Sequence, residues 1–383
     1  MIGITGTKGK STVVELIAYI LEKAGKKAVV SSSVRNELSG MTMPGRFFMQ
    51  NLLRRGVRDH AEYAVIEVTS QGVIQSRHRF ISWNVAAFTN LAPEHVEAHG
   101  GFEKYRDAKV SFFRYVAKNP QARFIINKDD ANAQYFIDAV NLLQSDFNRI
   151  VLYGISDLPC LLLGEFNQYN VGAAVAATEA VGISHDVIRR AVADFPGVHG
   201  RMEFIQKEPF AVLVDYAVTP DSLEAVYQTL KNLSFMNHDS RLITVFGCTG
   251  GGRDTGKRSV MGGIAARYCD EIILTDDDSY DERPEDIIAD IRRGCDTIQD
   301  PSLCQLTDTG GQAGFRIQEY VDRKEAIRKA LSLAQPGDMV VITGKGGDRW
   351  LRKAQGKKIP WSDSQAVRDI LQEMQNAKFK NQN

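Results

Sequence analysis

The residues best able to do chemistry stand near the start of the sequence, in Gly6-Thr7-Lys8-Gly9-Lys10-Ser11-Thr12. Glycines let backbone N–H groups approach an anion, and a helix opening at once adds the positive end of its dipole. Lys10 can reach the outer phosphates of a nucleotide, and the Ser11 or Thr12 hydroxyl can hold a magnesium ion. The longer phosphate-loop pattern would carry glycine where this chain has Ile4, so the motif reads G-x-x-G-K-S-T. Its flanks favour a phosphate cradle over a plain glycine turn. An apolar run at 2–5 reads as a strand, and Val13, Leu16, Ile17, Ile20, Leu21 and Ala24 recur at helical spacing until Gly25.

Three further residues are candidates for the same chemistry. Glu67 ends the apolar run Val65-Ile66-Glu67. In open α/β sheets ligands gather at the C-terminal ends of strands, so a carboxylate there can hold magnesium opposite the loop. A solvated strand-end acid would have the same local sequence. His95, in Thr89-Asn90-Leu91-Ala92-Pro93-Glu94-His95, can ligate metal as a neutral imidazole, although a lone histidine is more often structural. Lys109 lies in a charged helical stretch, where a lysine is ordinarily just solvated.

The elements that must position these groups alternate. Residues 28–31, 63–68, 85–89, 123–127 and 150–153 read as strands, with helical patterns such as 102–117 between them. Helical runs follow at 167–181 and 185–193, then a turn-rich junction around Pro196-Gly197. The alternation restarts with strands at 211–215, 242–246, 272–274 and 339–343 and a helix at 221–233. The expected fold is α/β: a phosphate-loop domain with a parallel sheet over residues 1–203, then a smaller Rossmann-like domain over residues 204–383.

Composition sets bounds on partners and compartment. Lys plus Arg and Asp plus Glu both number 47, so formal net charge gives no case for nucleic acid or an anionic membrane. The 5 cysteines are scattered without a C-x-x-C pair, which fits reduced thiols in a cytoplasmic protein. No run reaches transmembrane length, and Lys8, Lys10 and Glu15 interrupt any signal-peptide pattern.

Taken in order, the motifs resemble the Mur ligase family, nearest to its MurE branch of amino-acid-adding ligases in peptidoglycan synthesis. The resemblance is carried by the loop and by E-V-T-S at Glu67, T-N-L-A-P-E-H at His95 and F-E-K-Y-R-D-A-K at Lys109. It continues through E-F-N-Q-Y-N at Asn167 and Asn170, H-G-R-M-E at Arg201 and D-Y-A-V-T-P-D at Asp215. The last motifs are G-G-G-R-D-T-G-K-R at Arg253, D-R-K-E-A-I from Asp322 and G-K-G at Lys345. The resemblance implies ATP and Mg2+ as cofactors. Ser11, Glu67, His95 and a carbamylated Lys109 would organise the metal, and Asn167 and Asn170 would face the adenine. Arg201 and Asp215 would contact ATP when the domains close. Arg253, Asp277, Asp278, Tyr280 and Lys345 would meet substrate. ATP would phosphorylate a carrier carboxylate, and an amino acid's amine would displace phosphate from the acyl phosphate.

This chain departs from the family pattern at defined places. Many MurE sequences have D-N-P-R where this one has Asp277-Asp278-Ser279-Tyr280, and tyrosine supplies no bidentate cation. Val218 and Gly347-Asp348 replace the usual histidine and His-Glu, and Gln71 replaces another histidine. The family's N-terminal UDP-sugar-gripping domain is expected to be missing, with a separate UDP-sugar-binding protein as a candidate partner. Two alternatives stand beside a peptidoglycan-precursor ligase. One is a related ligase for a folate or poly-amino-acid acceptor; the other is a non-catalytic nucleotide-binding partner protein.

Overall fold

The computed structural model describes residues 1–35, 41–92, 100–142, 147–233, 236, 239–252, 254–299 and 315–380. The chain divides into two compact units, Met1–Gly197 and Val198–Asn383.

In the first unit, strands β1 (Ile2–Thr5), β2 (Ala28–Ser31), β3 (Tyr63–Glu67), β4 (Val85–Phe88), β5 (Arg123–Asn127) and β6 (Ile150–Tyr153) form one sheet. Its order is β2-β3-β1-β4-β5-β6, and every pair is parallel. Its helices are α1 (Lys10–Lys23), α2 (Arg46–Arg58), α3 (Ser70–Ile74), α4 (Phe102–Val116), α5 (Ala133–Asn141), α6 (Glu165–Glu179) and α7 (His185–Asp194). Helices α1, α6 and α7 pack on one another, and α4 packs on both α3 and α5. Alternate residues of β1 serve the two layers. A Cβ on Gly3 would stand 2.6 Å from the Phe112 ring and 2.8 Å from Trp83, so only glycine lets α4 lie that close. The core on this side is aromatic: Phe88 and Phe136 stack at 3.8 Å, and Trp83 meets Phe112 edge-on at 5.1 Å.

The chain runs from β1 out to β2 and β3 on one side, then returns to β4 on the other. This strand-order reversal opens a crevice at the C-terminal end of β1. Register places Ile4 beside Glu67 and Thr5 beside Phe88, so the loop after β1 is flanked by Glu67 and by Thr89.

The second unit repeats the plan. Strands β7 (Glu203–Gln206), β8 (Ala211–Val214), β9 (Leu242–Phe246), β10 (Glu271–Thr275), β11 (Arg316–Tyr320) and β12 (Met339–Ile342) form a sheet in the order β11-β10-β9-β12-β8-β7. Only the edge strand β7 is antiparallel. Strands β13 (Trp350–Arg352) and β14 (Lys358–Pro360) make a separate hairpin. The helices are α8 (Pro220–Lys231), α9 (Lys257–Tyr268), α10 (Pro284–Gln299), α11 (Arg323–Leu333) and α12 (Asp363–Lys380). Residues 198–203, expected with the first domain, lie with this unit. The Met202 N–H donates to Asp215 at 2.8 Å, and Glu203 pairs with Val214 across β7 and β8.

Among the described residues, no helix is long and apolar enough to cross a membrane.

Candidate active site

Gly6 and Gly9 have φ of +149° and +80°, a region that L side chains rarely adopt. Space enforces the same choice. A Cβ on Gly6 would come within 2.0 Å of Thr89 Oγ1, and one on Gly9 within 2.1 Å of Asn170 Oδ1. The loop is therefore held between the end of β4 and helix α6. Asn90 fastens it further: its carbonyl accepts from Thr7 N–H at 2.8 Å, and its Oδ1 accepts from Lys8 N–H at 2.8 Å. Thr89 Oγ1 donates to the Lys8 carbonyl at 2.7 Å, and the Thr7 and Tyr105 hydroxyls share a hydrogen at 3.0 Å. Because Thr7 and Lys8 give their N–H groups to Asn90, an anion would be met by the first turn of α1, whose N–H groups have no intrahelical partner.

Lys10 Nζ donates to the Thr7 carbonyl at 2.7 Å and lies 3.9 Å from Glu67 Oε1. Ser11 Oγ donates to Glu67 Oε2 at 2.9 Å and lies 2.7 Å from Ser33 Oγ; Ser33 N–H donates to the same Glu67 oxygen at 3.0 Å. Glu67 is only 3% exposed, so it is no solvated strand-end acid. A buried carboxylate flanked by two hydroxyls is an all-oxygen donor set, which suits a hard divalent cation such as Mg2+. Among the described residues, no three His, Cys, Asp or Glu side chains converge as a metal cluster. His95 lies outside the described residues, as does Arg253.

Lys109 is buried at 1% exposure, not solvated on a helix face. Its Nζ donates to the Gly6 carbonyl at 2.6 Å and lies 4.6 Å over the Tyr105 ring, which ties α4 to the loop. On α6, Asn170 Nδ2 donates to Asn167 Oδ1 at 2.8 Å, and Asn167 Nδ2 donates to the Leu163 carbonyl at 2.7 Å. One turn apart, these amides buttress each other, and the nearer presses on Gly9.

The remaining expected residues belong to the second unit. Asp215 accepts from Ala217 N–H at 2.7 Å and from Met202 N–H at 2.8 Å, clasping two backbone segments. Arg201 lies over the Tyr216 ring at 4.0 Å. Asp277 and Asp278 do not form an exposed acidic loop; both are buried. Lys345 Nζ stands 2.8 Å from Asp278, 3.2 Å from Asp348 and 3.6 Å from Asp277. Arg352 Nη1 adds contacts of 2.6 Å to Asp278 and 2.7 Å to Asp348. Burial alone would lower the Lys345 pKa, but the three carboxylates outweigh it and raise it. Burial raises Asp277 by more than Lys345 and Arg323 lower it. Tyr280, at φ +52°, donates its N–H to the Arg352 carbonyl at 3.2 Å, joining this loop to the hairpin.

Sequence reasoning missed Ser33, Asn90, Tyr105 and Arg352. Asn90, two residues past the end of β4, and Tyr105, one helical turn before Lys109, sit inside motifs quoted for the family resemblance, and their polar side chains were the available signal. Ser33 and Arg352 carry none, because only the sheet order and the hairpin bring them in.

Known proteins share this sequence pattern and fold. Residues 4–159 match the Mur ligase middle domain and residues 200–346 the Mur ligase glutamate ligase domain. A UDP-N-acetylmuramoyl-L-alanyl-D-glutamate–2,6-diaminopimelate ligase from Syntrophomonas wolfei is 34% identical over 400 residues, covering 97% of this chain and 78% of the relative. The enzyme of that name from Geobacillus kaustophilus is 33% identical, covering 91% and 74%. A solved structure under the same name superposes with a TM-score of 0.63 at 30% identity, covering 98% of this chain and 78% of the other. Mycobacterium tuberculosis folylpolyglutamate synthase shares the fold, with a TM-score of 0.65 at 17% identity, covering 91% and 90%. The chain belongs to the Mur ligase family, enzymes that form amide bonds using ATP.

Proposed function

We propose that this protein joins the amine of an amino acid to a carboxylate of a UDP-N-acetylmuramoyl-peptide-like precursor, through an acyl phosphate made from ATP. One observation carries the reading: Lys10, Ser11, Glu67 and Lys109 converge on one glycine loop at a helix N-terminus. First-turn N–H groups of α1 would bind the phosphates, and Lys10 would turn from the Thr7 carbonyl to the γ-phosphate. Ser11 and Glu67 would hold Mg2+, which when bound neutralises charge on the phosphates during transfer. Glu67 and the loop set the position from which the carrier carboxylate attacks the γ-phosphorus, while the bond from that phosphorus to the bridging oxygen breaks and ADP leaves. The amine then attacks the acyl carbon, and phosphate leaves from the tetrahedral adduct. Carbamylation of Lys109 would replace an ammonium with an anionic group beside the loop and bring it into the metal's shell. We place the enzyme in the cytoplasm, where ATP and UDP-linked precursors occur. The relatives' names make diaminopimelate the first amino acid to try.

The test is phosphate release from ATP with UDP-N-acetylmuramoyl-dipeptide and a panel of amino acids, wild type beside Lys109→Ala. The reading expects release that needs both carrier and amino acid, and its loss in the variant. If no pair raises release above ATP alone, the chain is not a ligase for this carrier.

A further inference from the structure

Helix α2 lies against β2, the edge strand of the first sheet, so closely that a Cβ on Gly56 would clash with Val29. It buries Met49 and Gly56, and Leu52 and Leu53 pack partly into the core. Its other face stands in water. Phe47 is 95% exposed and Val57 74%, set among Arg46, Arg54, Arg55 and Arg58, all of them exposed. Phe47, Arg54 and Arg58 fall at i, i+7 and i+11, so they share one row of the helix. Helix α2 contains no Asp or Glu.

The end of α3 and the turn after it adjoin this helix, since Arg77 donates to the carbonyl of Met43, just ahead of α2. They present Ile74, Arg79 and Phe80 to solvent, the last at 81% exposure. No acidic residue occurs between Glu67 and Glu94. Phe80 has φ of +63°, a region that bulky side chains avoid, and its N–H is fastened to the Tyr115 hydroxyl at 2.9 Å. A phenyl ring is thus held out into water against its backbone preference. The zero net charge of the whole chain conceals this local basic and apolar surface.

We propose that this face docks peripherally on an anionic phospholipid surface. Arginines grip phosphate oxygens bidentately, and phenyl and aliphatic groups enter the boundary between headgroups and acyl chains. Phe47 and Phe80 protrude, with little protein around either ring. Protruding groups suit a fluid apolar phase, which needs no matching pocket; a folded acidic partner would have to supply one. A second copy of the chain is disfavoured, because a two-fold contact would set arginine against arginine. Docking of this kind does not depend on the ligase reading above.

In the test, the full chain is sedimented with vesicles of phosphatidylglycerol in phosphatidylcholine, and with phosphatidylcholine alone. Saturable binding to the anionic vesicles is expected, at least about tenfold tighter than to the neutral ones and weakening as salt rises. Arg54→Gln and Arg58→Gln should each weaken it about fivefold, and Phe47→Ser severalfold, with far-ultraviolet dichroism and ATP binding unchanged. The emission added by Phe47→Trp should move to the blue on anionic vesicles. Poly-L-glutamate takes the place of the vesicles in a parallel titration. Binding to it as tight as to the vesicles, and indifferent to Phe47→Ser, would identify an acidic polypeptide as the partner and overturn the lipid assignment. Absence of vesicle binding would overturn it too, as would binding that neither the arginine variants nor Phe47→Ser weaken.

Discussion

Glu67 accepts hydrogen bonds from Ser11 Oγ and Ser33 N–H while buried beside Lys10. Changing it to glutamine keeps the shape and removes the charge that would hold a cation. Glu67→Gln should lower kcat/KM by on the order of 10²–10³ with little change in far-ultraviolet dichroism. Near-wild-type activity would remove Glu67 from the metal site. Gly9 tests the loop's geometry instead. Gly9→Ala combines the left-handed penalty of about 1–2 kcal/mol with a clash against Asn170 Oδ1, 2.1 Å from the new Cβ. Melting temperature and ATP affinity should both fall. Adding Asn170→Ala should recover the clash component but not the backbone component. Strict additivity of the two substitutions would show that they do not meet.

At the scale of elements, His78 marks a weak point in the aromatic layer under the first sheet. It lies edge-on to Phe112 at 6.1 Å and Tyr115 at 4.9 Å, and its Nδ1 is buried without a partner. Burial pushes its pKa down to about 4, with Arg79 adding to the effect. The folded pKa lies below the unfolded value, so the unfolded chain binds the extra proton and stability falls as pH drops from about 6.5 to 4. The loss reaches about 2–3 kcal/mol. Denaturant titrations of wild type and His78→Phe should diverge across that window in favour of the variant. A difference independent of pH would show that His78 does not titrate on unfolding. Elements with strong local patterns were legible from sequence: the loop, α1 and the buried runs of β3, β4, β8, β9 and β12. Helix α2 was not, because Arg46, Arg54, Arg55 and Arg58 interrupt its apolar spacing. Strands β7, β11, β13 and β14 are short and none is fully buried, so tertiary pairing decides them. Site residues were legible where motifs carried them. Burial of Asp277 and Asp278 was not, since Lys345 and Arg352 neutralise them from far along the chain.

For the whole molecule, each unit is a largely parallel sheet, and the chain spans 74–78% of the length of the two curated ligases compared above. On the proposed reading, phosphate chemistry would be assembled in the first unit around Gly6 to Thr12. The second holds the buried ion-pair cluster of Lys345 and Arg352 with Asp278 and Asp348. The central claim is that the loop hands the γ-phosphate of ATP to a carboxylate and not to water. Its most direct measurement uses carrier labelled with 18O in the terminal carboxylate, turned over with ATP and amino acid. The released phosphate is then analysed by mass spectrometry. Passage through an acyl phosphate predicts phosphate carrying 18O from the carrier, in step with amide formed. Amide formation accompanied by unlabelled phosphate would contradict it.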